Sequence, residues 1–210
     1  MDYLNILLIV VTSYLLGSLP TAYVVARYKR VDIFDVGSGN MGATNVLRAI
    51  GLKWGLLVFF LDSAKGIIAV ALAWRIMPEN RAAAATIAGL VAIIGHNWSL
   101  FATMITGKLR GGKGAATAFG TLLMVAPFQT LVIGFVISTV IVIFTRYMSL
   151  GVLVMFTLSL VWMAVLIIQR QLPAEFIYYA SISWGMLVMR FRENIQRLVS
   201  GTERRLGESA

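Results

Sequence analysis

Long apolar runs separated by short polar segments occupy most of this chain. A membrane-crossing helix needs roughly 20 apolar residues. Runs near that length lie at Leu4 to Ala26, Trp54 to Trp74, Ala82 to Phe101, Ser149 to Ile168 and Pro173 to Met189. Between them, Gly114 to Thr145 is too long for one straight helix and short for two full crossings. There the pattern predicts Ala115 to Pro127 and Thr130 to Thr145, two short helices joined by a turn at Pro127-Phe128-Gln129-Thr130. The expectation is an all-α, polytopic integral membrane protein with seven transmembrane helices. No internal repeat or domain-separating linker interrupts the chain, which reads as one transmembrane domain over 1–210; the tail from Gly201 to Ala210 is polar and expected to fray.

Composition agrees with that class and removes others. Hydrophobic residues make up 59% of the chain, charged residues 13%, and the mean hydropathy is +0.85, far too apolar for a soluble domain. Cysteine is absent and histidine occurs once, so disulfides, thiolate metal sites and histidine-cluster metal sites are excluded, and no metal or cofactor is expected. The net charge of +9 is scattered between apolar runs instead of gathered on one soluble face, which argues against nucleic acid. Met1-Asp2-Tyr3 lacks the basic region of a cleaved leader, so the first run is expected to stay as a span. With seven spans, all of the 18 basic residues except Arg75, Arg81, Arg170 and the intramembrane Lys65 fall on one side. The positive-inside rule makes that side cytoplasmic, with the N-terminus out and the C-terminus in.

Candidate chemistry gathers on the same side. Gly37-Ser38-Gly39-Asn40-Met41-Gly42-Ala43-Thr44-Asn45-Val46-Leu47-Arg48 is a polar, glycine-rich stretch between two apolar runs. Gly37, Gly39 and Gly42 permit tight turns and close backbone approach, while Ser38, Asn40, Thr44 and Asn45 add neutral hydrogen-bonding groups. Arg48 adds a bidentate fork suited to phosphate. Taken alone, the stretch admits two readings, an anion loop or a flexible connector with a solvated arginine. Lys108-Leu109-Arg110-Gly111-Gly112-Lys113-Gly114 repeats the combination of glycine and cation, without the spacing or strand of a P-loop. Its basic residues suit a phosphate site or lipid headgroups. Asp62 and Lys65 stand at i, i+3 on one face of a span, where charges are paired or functional. His96, in Gly95-His96-Asn97-Trp98, lies near a cytoplasmic helix end and reads as a packing residue more readily than as a general base. Arg190-Phe191-Arg192-Glu193-Asn194-Ile195 closes the last span, and Asn194 is its one residue that a basic membrane anchor does not explain.

In their order along the chain these segments, with Gly201-Thr202-Glu203, resemble the motifs of the PlsY family, the bacterial acyl-phosphate glycerol-3-phosphate acyltransferases. The resemblance implies a seven-helix membrane enzyme of the bacterial inner (plasma) membrane, active on its cytoplasmic face. The enzyme would move a fatty acyl group from acyl phosphate to the 1-position of glycerol 3-phosphate, giving lysophosphatidic acid and phosphate in phospholipid biosynthesis. It implies catalytic roles for Ser38, Arg48, Lys113 and Asn194. Substrate-side positions would be Gly37, Gly39, Asn40, Gly42, Thr44, Asn45, Asp62, Lys65, His96, Gly111, Gly112, Ser149 and Arg192. Partners are the two phosphate-bearing substrates and the lipid bilayer, with neither nucleic acid nor an obligatory protein partner. Two positions depart from the family pattern. Phe191 stands where many members have histidine, so that role does not transfer and Arg190 or Arg192 is a candidate substitute. Met41 stands where proline is usual.

Acyl phosphate is already activated, so an enzyme using it needs positioning and charge stabilisation more than a strong base. With no cysteine and no Ser/His/Asp triad, direct attack by the glycerol hydroxyl is expected, with Asp62 as a fallback base or Ser38 as an acylated alternative. A second class also fits basic loops and intramembrane charge: a small transporter for a phosphate-bearing solute. Transporters, however, tend to place substrate at the midplane of repeats, whereas the polar motifs here collect on one face.

Overall fold

A computed structural model describes residues 3–207; Met1 and Asp2, read above as an uncleaved start, and positions 208–210 of the tail lie outside them. Every element among the described residues is helical. Five stretches are long and apolar enough to cross a membrane: Tyr3–Tyr28, Leu52–Ile76, Pro78–Thr106, Phe128–Thr145 and Met148–Ile168. The chain divides into two compact units, the first ending at Met124 and the second starting at Val125.

In the first unit the expected Leu4 to Ala26 span is broken. Helix α1 (Tyr3–Gly17) stops before Pro20, which lacks an N–H and starts α2 (Thr21–Tyr28). The glycine-rich stretch, read as a loop through Arg48, is loop only as far as Gly42; α3 (Ala43–Ile50) takes up Thr44, Asn45 and Arg48. After Gly51 comes α4 (Leu52–Ile76). A short turn leads to α5 (Arg81–Asn97), capped by Asn80 Oδ1 accepting from the Ala83 amide. Ser99 then caps α6 (Leu100–Thr106), and Gly107 in a left-handed conformation ends it. The last helix here, α7 (Ala115–Val125), is short.

Close packing depends on small residues, since lipid supplies no hydrophobic drive between helices. A Cβ at Gly17 would collide with the Ala92 backbone and one at Gly95 with the Tyr14 carbonyl, so α1 and α5 meet backbone to backbone. Gly66 and Gly120 do the same for α4 and α7, where Ser63 Oγ donates to the Ala116 carbonyl at 3.1 Å. Beneath the loops, Ala22, Val25, Ile33, Met41, Val46, Val58 and Ala102 form a buried apolar cluster that ties α2, α3, α4 and α6 together.

In the second unit, α8 (Phe128–Thr145) and α9 (Met148–Ile168) form a hairpin that turns at Arg146, in left-handed conformation. Gly151 faces Val142 and Ser138 across it. Helix α10 (Phe176–Arg190) packs on α9, with Trp184 Nε1 donating to Thr157 Oγ1 at 3.0 Å, and α11 (Arg192–Val199) follows. Phe135, Phe144 and Ile168 point outward, as lipid-facing positions do. As far as it is described, to position 207, the tail is held by contacts against the expectation of fraying. Gly201, with φ 71°, turns the chain back, Glu203 is buried, and Leu206 exchanges backbone and side-chain hydrogen bonds with Arg146.

Candidate active site

In the first unit the two glycine segments meet. The Met41 amide donates to the Gly111 carbonyl at 3.3 Å, a bond that the proline usual in the family could not make. The Gly112 amide donates to the His96 carbonyl at 3.0 Å, and the Ser99 amide to the Arg110 carbonyl at 2.9 Å. Lys113 is therefore carried on a strap laid across the end of α5. The Arg110 guanidinium stacks over Phe34, 4.8 Å from its centroid, bracing the strap against the segment that leads into the first glycine loop.

Asn45 organises that loop. Its Oδ1 accepts from the Ser38 amide at 2.9 Å, and its Nδ2 lies 3.1 Å from the carbonyls of Ile33, Val36 and Asn40. Asn40 in turn donates from Nδ2 to the Ser38 carbonyl. Gly37 and Gly39 adopt positive φ, and the amides of Gly39 and Gly42 bond within the loop. Thus the amides of Ser38, Gly39, Met41 and Gly42, expected to cradle an anion, are committed inside the protein. The loop is mainly scaffold. What it presents are the exposed Ser38, the half-buried Thr44 and Arg48 on α3, and the N-terminus of α3, which no side chain caps.

Asp62 and Lys65 are fully buried and paired at 2.9 Å. Lys65 Nζ also lies 2.8 Å from His96 Nδ1 and 3.2 Å from the Leu19 carbonyl, freed by the break before Pro20. The Thr21 hydroxyl donates to Asp62 Oδ1, while Asp62 Oδ2 is buried without a hydrogen-bond partner among the described residues. These three sequence candidates stand together, away from solvent. Asn97 was missed. It is 1% exposed, neither of its amide atoms has a hydrogen-bond partner among the described residues, and its Oδ1 abuts Gly114. The sequence signal for it was adjacency to His96.

The second unit holds Ser149, Arg192 and Asn194, joined by another residue outside the predicted set, Glu203. Its Oε1 accepts from Ser149 Oγ at 2.8 Å and from Asn194 Nδ2 at 2.6 Å, and its Oε2 from Arg197 Nε at 2.8 Å. Burial works against this carboxylate's charge, but the hydrogen bonds from Asn194, Ser149 and Arg197 outweigh it and hold the carboxyl below its ordinary value. Phe191 is buried at the α10–α11 junction, and the neighbouring Arg192 is exposed.

Gly112 has no room for a side chain, since a Cβ would strike His96 Nε2 and the Met41 carbonyl. Gly112→Ala is expected to cost about 1–3 kcal/mol of stability. The cost would be read as a lower melting temperature in detergent, and an unchanged melt would show that the strap yields.

Three comparisons show the family of the chain. The family described as glycerol-3-phosphate acyltransferase matches residues 7–201. The glycerol-3-phosphate acyltransferase of Halalkalibacterium halodurans is 43% identical over 201 residues, spanning 95% of each chain. That of Aquifex aeolicus is 37% identical, over 95% of this chain and 98% of its own. The crystal structure of PlsY, an integral membrane glycerol 3-phosphate acyltransferase, superposes in its glycerol 3-phosphate form with a TM-score of 0.84 at 36% identity, covering 96% of both chains. The lysophosphatidic acid form gives 0.82. On residues, fold and extent of match alike, the chain belongs to the glycerol-3-phosphate acyltransferase family of integral membrane enzymes typified by PlsY.

Proposed function

We propose that this protein transfers a fatty acyl group from acyl phosphate to the 1-hydroxyl of glycerol 3-phosphate, releasing lysophosphatidic acid and inorganic phosphate. The observation that carries the reading is the junction of the two glycine segments, Met41 to Gly111 and Gly112 to His96, which mounts Arg48 and Lys113 on one braced scaffold. A cation on a rigid support suits phosphate. Both proposed substrates carry one, and the named relatives and the two PlsY forms support the acceptor and the product.

In this reading both units serve one transmembrane acyltransferase of a bacterial plasma membrane, with seven crossings, the N-terminus outside and the site facing the cytoplasm. Helices α7 and α10, shorter than the five long spans, supply the remaining two crossings. The asymmetric placement of basic residues supports the orientation.

The acceptor hydroxyl oxygen attacks the acyl carbonyl carbon. An ester C–O bond forms, the bond from that carbon to the phosphate oxygen breaks, and phosphate leaves with the electron pair. The hydroxyl proton passes to a phosphate oxygen of the substrate. Asp62 is unsuited as the base, because Lys65 and Thr21 engage it out of reach of solvent. His96, the single histidine, is held by Lys65 and is not available to activate Ser38. The transporter reading is weakened too, since the intramembrane Asp62 and Lys65 are paired with each other away from solvent.

Purified protein in detergent, given glycerol 3-phosphate and acyl phosphate, should form lysophosphatidic acid, and should do so faster than with acyl coenzyme A. No product, together with phosphate flux in vesicles, would establish the transporter instead. Mass spectrometry of protein quenched during turnover should find no acyl adduct. An acyl group trapped on Ser38 would sink direct attack.

A further inference from the structure

We propose that Asp62, Lys65 and His96 are positioning residues of the acyl transfer. The buried ion pair locks His96 in one tautomer and orientation, and His96 holds the Gly111 to Gly114 strap in the form that receives glycerol 3-phosphate. This inference rests on the acyl-transfer reading above.

The lock follows from counting donors. An ammonium has three N–H donors and no lone pair. Around Lys65 Nζ stand three oxygens and nitrogens at bonding distance: Asp62 Oδ1 at 2.9 Å, the Leu19 carbonyl at 3.2 Å and His96 Nδ1 at 2.8 Å. With Lys65 charged beside Asp62, Nδ1 accepts, which by the logic of the hydrogen-bond network leaves the imidazole proton on Nε2. That Nε2 edge is the one against Gly112, where a Cβ would overlap it. His96 presses on the same glycine a second time, its carbonyl accepting the Gly112 amide at 3.0 Å. From Gly111 the path continues to Met41, so one chain of contacts runs from the ion pair through the imidazole to both glycine segments.

Two further observations separate positioning from catalysis and from plain stability. Asp62, Lys65 and His96 are 0%, 3% and 2% exposed, so none of them meets solvent where substrate arrives. A buried ion pair is also a poor way to gain stability, because apolar residues of similar volume are often as good or better. Here the pair is not even fully satisfied, since Asp62 Oδ2 lacks a partner among the described residues. What an apolar pair could not do is fix which imidazole nitrogen carries the proton.

The test has two arms. With one histidine in the chain, labelling histidine with 15N reports a single imidazole in the whole protein in detergent. The wild type should show one Nε2–H tautomer, and Asp62→Leu/Lys65→Met should show a mixture. A wild-type ring that is mixed, or protonated on Nδ1 alone, overturns the lock whether or not the protein turns over. In the second arm, the same double variant should remain folded but raise KM for glycerol 3-phosphate about tenfold, the equivalent of about 1.4 kcal/mol of lost binding, with kcat within about threefold of wild type. His96→Asn keeps an acceptor for Lys65 and loses the edge facing Gly112, so it should fold and show the same split; it decides alone if the double variant does not fold. An unchanged KM in the folded variant, or a fall in kcat without a rise in KM, overturns the proposal. Wild-type protein without any turnover would instead overturn the acyl-transfer reading itself.

Discussion

Arg48→Ala and Lys113→Ala are each expected to lower kcat/KM for acyl transfer at least about 100-fold while the protein stays folded. Removing one preorganised donor from a site that stabilises developing charge costs about two to three orders of magnitude in well-studied enzymes. Both side chains are only partly buried, so truncation opens no core cavity. Arg48 rides on a helix whose anchors are other residues. Val46 is fully buried in the apolar cluster, Asn45 ties the loop, and Gly55 lets Leu47 approach α4 closely. Lys113 sits on a strap fixed by the amide of Gly112 and the carbonyls of Arg110 and Gly111, none of which the substitution touches. Arg48→Lys should recover part of the loss, since a point charge replaces the planar fork but not its paired hydrogen bonds. The measurement is turnover of purified variants with matched melting temperatures. Near-normal rates in either alanine variant would remove that cation from the phosphate clamp.

The helical class and most span positions were legible because membrane helices announce themselves through hydropathy, which is a local property. The break expected near Pro127 does fall between α7 and α8, but Phe128, Gln129 and Thr130, read as part of the turn, already belong to α8, which Pro127 caps. Local patterns also held for Asp62 and Lys65, whose i, i+3 spacing brings them into contact. What escaped was of two kinds. Helix α3 was hidden by the glycines before it, although Ala43, Val46, Leu47 and Ile50 carry an i, i+3, i+4, i+7 apolar face. The break at Ser18 to Pro20 was likewise visible in principle, since a proline inside an apolar run ends or kinks a helix. Other features were not local at all. Nothing in the neighbourhood of His96 states that its Nδ1 will meet Lys65, 31 positions earlier, and Ser149 meets Glu203 across 54 positions. Backbone amides posed a subtler difficulty. Glycine content signalled exposed N–H groups, but the side chain of Asn45 and the carbonyls of Val36, Asn40 and Gly111 use the amides of Ser38, Gly39, Met41 and Gly42.

Glu203→Ala is expected to destabilise the second unit by about 3 kcal/mol, because it leaves the buried Ser149 Oγ and Asn194 Nδ2 without their acceptor. Arg197 adds little to that figure, being one-third exposed and screened by solvent. Asn194 carries a proposed catalytic role, so activity should fall further than stability alone explains, as its carboxamide loses the bond that orients it. Glu203→Gln separates the two effects. Its amide oxygen can still accept from one neighbour, which restores part of the packing, but it removes the charge that all three donors share. The pH dependence has a definite sign. Because hydrogen bonds hold the Glu203 carboxyl below its ordinary value, its contribution is complete above the usual glutamate pKa of about 4.3 and is lost as pH falls through the lowered value. The gap in melting temperature between wild type and Glu203→Gln should therefore be widest near neutral pH and close in acid. A gap that stays constant down to acid pH would mean that the carboxylate's charge is not what binds Ser149, Asn194 and Arg197 together, and that the shape of the side chain alone holds the tail in place.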